Sequence, residues 1–318
     1  MSDFIEFTNE YGQRIEMARD EYEKRVIPHN LEMYWDDKEK LRQYAMELVR
    51  DSFPSHAGKA ADRLIELYGR IEPALNFRAV VHMQAGELDL AKQVLVETIT
   101  NYPESGSAYT NIAKILAYEG DGIKAFEALQ TGLVLDPNQE TGMDMYITSF
   151  LEMDQKEALL ERLKQLGEAE GAWRPHLMIG RLALKDENLL VALQGYKEAI
   201  KRSNESEEVI MAVTGELGQA GYVYQLIQVA EHFWKPSFEY PYVGFNYANA
   251  LIATEQGDKA IAVLTAMRDE IGEPFNQTVE QFLSKLPPEL LEKAAQQSQS
   301  QAGESMETDK KSKWKFWK

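Results

Sequence analysis

Apolar and polar positions along this chain recur at the three- and four-residue spacing of amphipathic helices. Tyr11, Ile15, Ala18, Tyr22 and Val26 trace one face and predict a helix stopping at Pro28, since proline lacks the N–H that a helix interior needs. A second pattern, running from Leu31 through Leu41, Tyr44 and Leu48, predicts more helix.

Two later segments align without a gap. LNFRAVVHMQAGELDLAKQVLVETITNYP closes on Pro103, and YTNIAKILAYEGDGIKAFEALQTGLVLDP closes on Pro137. Gly86 maps to Gly120, Ala91 to Ala125, Leu95 to Leu129 and Pro103 to Pro137, each offset being 34 residues. Ala79 and Ala113 on the first helix, with Ala91 and Ala125 on the second, are small enough for two helix backbones to approach closely. Glycine before an acidic residue (Gly86-Glu87, Gly120-Asp121) suits the left-handed position that stops the first helix. The prolines fall where the second helix must end.

These residues resemble the tetratricopeptide repeat, whose unit is two antiparallel helices per 34 residues. Weaker copies keep the phase: Gly180, Ala183, Ala192, Tyr196 and Ala199 in one, Ala248, Leu251, Ala260 and Leu264 in another. MDMYITSFLEMDQKEALLERLKQ reads as a copy one residue short, and VIMAVTGELGQAGYVYQLIQVAEHF as a further one. A divergent first copy over 44–73 is interrupted by Pro54. The expected fold class is all-α, an α-solenoid of stacked helix-turn-helix, tetratricopeptide-like repeats with a disordered C-terminal tail. Residues 1–70 are expected to form an N-terminal helical cap or effector region. Residues 71–285 form the array, about six helix pairs that the resemblance winds into a right-handed superhelix. Residues 286–309 supply a short helix and polar linker, and 310–318 a basic-aromatic tail.

Charge and composition narrow the function. The formal charge is −18, and the tail KKSKWKFWK holds five lysines, so residues 1–309 carry −18 − 5 = −23. Such a body repels nucleic acid and attracts basic proteins. The absence of cysteine excludes disulfides, cysteine-ligated zinc, iron–sulfur clusters and a thiol nucleophile. The start MSDFIEFTNEYGQRIE lacks the features of a secretory signal, and no run of about 18 apolar residues occurs, so a cytoplasmic location is expected. His29, His56, His82, His176 and His232 are scattered, and no HExxH, GxxxxGK[ST] or GxSxG motif is present. Gly215, Gly218 and Gly221 fit a packed helix and its turn. No catalytic residue, cofactor or metal is assigned, and an enzyme is not expected.

The resemblance implies that the first helix of each pair lines a concave groove receiving a peptide or extended segment. Its positions carry over to Asn76, Phe77, Val80 and Met83, then Thr110, Asn111, Lys114 and Tyr118, then Asp144, Met145 and Thr148. Arg174, Met178, Arg181 and Lys185 follow, then Tyr242, Phe245, Asn246 and Asn249. Lys114, Arg174, Arg181 and Lys185 concentrate positive charge in an acidic chain. The asparagines can bridge a bound backbone, and the methionines give an adaptable lining. An acidic or carboxylate-ended peptide is the expected ligand, against the plainer reading of solvated helix faces. The family's chaperone-tail clamp is not present: Asn111 fits its middle position, but Asn76, Val80, Thr141 and Met145 do not supply its flanking residues.

In the tail, Lys310, Lys311, Lys313, Lys315 and Lys318 interleave with Trp314, Phe316 and Trp317. At ~1 kcal/mol per lysine near an anionic leaflet, the five give about 5 kcal/mol, a reversible anchor. The protein's own acidic body, an acidic partner protein and, least favoured against the acidic body, RNA are the rival contacts, beside the plainer reading of a solubilising charged end. The expected function is a non-catalytic scaffold or adaptor that binds a partner peptide in the groove, recruited to the membrane surface by its tail. The alternative is a peptide-sensing regulator in which groove occupancy controls the N-terminal helices.

Overall fold

The computed structural model describes residues 4–8, 14–270 and 273–291. The chain divides into two compact units, Met1–Arg162 and Leu163–Lys318.

The first unit opens with an antiparallel hairpin of β1 (Phe4–Thr8) and β2 (Arg14–Ala18), pairing Ile5 with Met17 and Phe7 with Ile15. This corrects the helix expected from Tyr11 to Val26. Ile5 and Phe7 in one strand, and Ile15 and Met17 in the other, fall at every second position, the period of a strand, with Ile5 buried and Glu6 and Glu16 exposed. Tyr11 lies outside the described residues. The chain then runs through α1 (Arg19–Glu21), a π-helical turn (Tyr22–Val26) and α2 (Ile27–Tyr34), with no stop at Pro28. Pro28 sits in the first turn of α2, where the wider π turn before it relieves the missing N–H and the ring's crowding.

Helix pairs follow. They are α3 (Lys38–Arg50) with α4 (Pro54–Tyr68), α5 (Glu72–Gln84) with α6 (Leu88–Asn101), and α7 (Gly106–Tyr118) with α8 (Gly122–Leu135). Next come α9 (Glu140–Glu152) and α10 (Lys156–Leu166), the latter crossing the boundary between units. The second unit holds α11 (Arg174–Lys185) with α12 (Leu189–Arg202), α13 (Glu207–Gln219) with α14 (Val223–Phe233), α15 (Tyr242–Ala253) with α16 (Gly257–Glu270), and α17 (Glu273–Leu283). Pro54 does not interrupt a copy. It starts α4, where its missing N–H costs nothing, so paired helices begin at Lys38, ahead of residue 71.

One left-handed residue closes the first helix of every pair. Ser52, Gly86, Gly120, Asp154, Glu187, Gly221 and Glu255 have φ between 55° and 85°. Their spacings are 34, 34, 34, 33, 34 and 34 residues, and the single 33 is the short copy expected from sequence. A side chain in this conformation costs roughly 1–2 kcal/mol, partly offset by glycine's greater freedom in the unfolded chain. Glu187→Gly is therefore expected to raise stability by up to about 1 kcal/mol, and Gly86→Ala to lower it by about as much, read from urea denaturation midpoints.

Packing ties the N-terminal hairpin to the first helix pair. Ile5, Tyr22 and Ile27 share one core with Leu41, Tyr44, Leu48, Phe53 and Leu64. Arg19 stacks over Phe53 at 4.1 Å and donates to the carbonyl oxygens of Asp51 and Ser52, the latter at 2.9 Å. It thereby satisfies the turn between α3 and α4. Ala79, Ala91, Ala113 and Ala125 are all buried. Among the described residues no helix is long and apolar enough to cross a membrane.

Candidate functional site

The first helices of the pairs present the sequence-predicted groove residues. In the first unit α5 lies beside α7, and α7 beside α9. Asn76 of α5 is engaged in joining repeats: its amide donates to Ser107 Oγ at 2.9 Å and to Ser105 Oγ at 3.1 Å. Its Oδ1 is buried without a partner. Phe77 packs against the N-terminal core, and Met83 against the next cluster around Leu95 and Ile115. Thr110 of α7 is buried and donates to Gln139 Oε1 at 2.5 Å.

Two neighbours on α7 behave differently. Asn111 is only 7% exposed, yet no side-chain hydrogen bond engages it. Lys114, one turn further on, is half-buried and likewise makes no ion pair or hydrogen bond. Desolvation alone holds its ammonium below the ordinary lysine pKa, with no charged group bearing on it. An amide and an ammonium at i and i+3 share one helix face. Tyr118, at the end of α7, is 82% exposed. On α9, Asp144, Met145 and Thr148 join Glu140, Thr141 and Ser149 around a shallow hollow of about 570 Å³.

In the second unit the two predicted arginines are already answered, and Lys185 is not. Arg174 is buried, lies over the Trp173 ring at 4.5 Å and reaches Glu208 Oε1 at 3.4 Å. Arg181 donates through Nε and Nη2 to Glu216 Oε1 at 2.9 and 2.6 Å. Glu216 Oε2 accepts from Tyr196 at 2.6 Å, and burial, then this carboxylate, pushes the tyrosine hydroxyl pKa upward. Met178 is 2% exposed and belongs to the core. Lys185 and Asn249 are exposed, Asn246 is half-buried, Phe245 stacks on Phe282 at 5.3 Å, and Tyr242 meets Phe275 edge-on.

Glu208 and Glu216 of α13 were not among the expected groove residues. A signal for them existed. They follow Arg174 and Arg181 by 34 and 35 residues, one repeat period, which sets side chains of successive first helices side by side. The tail residues 310–318 lie outside the described residues. Among those described, no group of three or more His, Cys, Asp or Glu is placed to hold a metal ion.

No protein-family model and no curated protein matches this sequence. Among solved structures it is similar to yeast Tom70, with 15% identity and a TM-score of 0.48, covering 86% of this chain and 62% of that one. It is also similar to the TPR2AB domain of yeast Sti1 in its pHSP90 complex, with 18% identity and a TM-score of 0.32, covering 78% and 97% of the two chains. Several of its structural neighbours are tetratricopeptide-repeat proteins. The chain spans less than two thirds of the Tom70 chain's length. The helix pairs of both units are tetratricopeptide-like, and α5, α7, α9, α11 and α15 are the first helices on which the candidate positions lie.

Proposed function

We propose that the protein is a non-catalytic scaffold that holds an extended acidic segment of a protein partner along the first helices of its N-terminal unit. One observation carries this reading: Lys114 is partly desolvated with nothing to answer its charge, beside an Asn111 amide that is buried and unengaged. Arg174 and Arg181, in the same family positions, already hold glutamates, so the second unit offers a passing anion less. Binding of a fluorescein-labelled Asp/Glu-rich peptide to the full chain and to Lys114→Glu tests it. Equal affinities would remove the groove.

The tail adds a second handle in this reading, reversible contact with an anionic membrane surface through five lysines and three aromatic residues. Full-length protein is expected to sediment with phosphatidylserine vesicles, and a chain with Lys313→Glu and Lys315→Glu to stay in the supernatant. Undiminished sedimentation of the variant rejects the contact.

A further inference from the structure

The inner face is not the only opening in the first unit. An apolar cleft of about 810 Å³ lies where the α7–α8 pair meets α9 and α10. Ile123 and Phe126 of α8, Phe150 of α9, then Met153 and Ala158, line it. Phe126 stacks on Tyr146 at 5.4 Å and tilts against Phe150 at 5.7 Å, which gives the cleft an aromatic floor. Two of its walls are solvated to a degree that packing does not explain: Ile123 is 77% and Met153 51% exposed. Ile123 stands three residues past the left-handed Gly120, a place that the neighbouring pairs fill with Asp89 and Glu157. The two flanking pairs put a carboxylate there, whereas this one, like the later pairs with Leu190 and Tyr224, exposes an apolar side chain.

The rim is acidic. Glu127 and Glu152 line the cleft, are exposed, and make no ion pair or side-chain hydrogen bond; Arg162 is the cation among the lining residues. Residues 119–162 hold ten Asp or Glu against three Lys or Arg, 3 − 10 = −7 over 44 residues. The body as a whole carries −23 over 309 residues, which is about half that density. A solvated hydrophobic patch of this kind inside a negative field marks an interaction site, and its complement is a cationic segment with bulky aromatic side chains.

The chain itself carries such a segment. We infer that the cleft receives the C-terminal KKSKWKFWK, with aromatic side chains from Trp314, Phe316 and Trp317 against Phe126 and Met153, and lysines facing Glu127 and Glu152. A volume of about 810 Å³ lies within the range of sites that take ligands the size of several aromatic rings. Residues 292–309 separate the tail from the last described residue, so the tail is a tethered ligand present in one copy per site. Docking covers the same lysines and aromatic rings that a membrane contact needs. Cleft and membrane therefore exclude each other, and an anionic surface draws the tail out.

The test uses the full chain with Trp317→p-benzoylphenylalanine. After irradiation, cross-linked peptides are expected to map to the cleft residues of 117–162 within one chain, with no cross-linked dimer. Glu127→Lys with Met153→Lys should cut the yield at least fivefold with an unchanged circular-dichroism spectrum. Lys313→Glu with Lys315→Glu, which leaves the helices untouched, should do the same. Cross-links mapping to the inner face or elsewhere, or a yield indifferent to both double variants, would overturn the inference while leaving the groove reading to its own peptide assay.

Discussion

Gly195→Ala is expected to destabilise the second unit by about 3 kcal/mol, the upper end of overpacking costs, read as a lowered urea midpoint. A Cβ at this position would lie 2.7 Å from the Gly180 nitrogen, 2.8 Å from the His176 carbonyl oxygen and 2.9 Å from the Gly180 Cα. All three are backbone atoms, so no side chain can rotate away and α11 and α12 must separate. Separation would also move Tyr196, whose hydroxyl fixes the Glu216 carboxylate that Arg181 grips. Gly122→Ala, with nothing within 4 Å of the new carbon, is the control and should cost nothing. If both variants melt with the wild type, the close approach of α11 and α12 is wrong.

Lys114→Glu is expected to weaken binding of an acidic peptide at least about tenfold, the scale of losing one charge-assisted contact at a partly desolvated site. Stability should change little, because a carboxylate at this half-buried place meets a desolvation penalty like that of the ammonium it replaces. The sign with pH follows from the same fact. Burial lowers the folded-state pKa of Lys114 below that of the unfolded chain, so the unfolded chain binds its proton more tightly. The destabilisation is full at neutral pH and fades as pH rises through the folded pKa towards 10.5. Peptide affinity should fall over that same window, since the neutral amine no longer draws a carboxylate. Lys114→Arg should keep its affinity there, as guanidinium does not titrate in this range. A flat affinity profile for the wild type would show that the lysine charge takes no part.

Much of the architecture could be read from spacing. Gly86 and Gly120 sit at left-handed turns that glycine adopts most easily, and Ala79, Ala91, Ala113 and Ala125 are buried where small residues suit the packing, so their types announce the repeat. The copies without such residues were harder. Ser52, Asp154, Glu187 and Glu255 adopt the same turn because the helices on either side impose it, and a search for glycine finds only three of the seven. The N-terminal hairpin was misread because Ile15 fits both a two-residue and a three-to-four-residue period, and local pattern cannot choose between them. Its choice is made by long-range packing on Leu41, Leu48 and Phe53. At the candidate site, residue type identified cations on first helices, but not which of them a neighbouring repeat would neutralise. That depended on the chemistry of α13, one period away.

The steady interval between turns has one more consequence. The helix α6 has 14 residues and is followed by four residues, 102–105, before α7 begins. The helix α14 has only 11, yet eight residues, 234–241, precede α15. The sums are 18 and 19, nearly equal, so a lost turn of helix is made good by open chain and the following hairpin starts on time. What the fold holds fixed is a pitch rather than the length of any rod, and the connectors after the second helices are where this chain can grow or shrink without disturbing its neighbours.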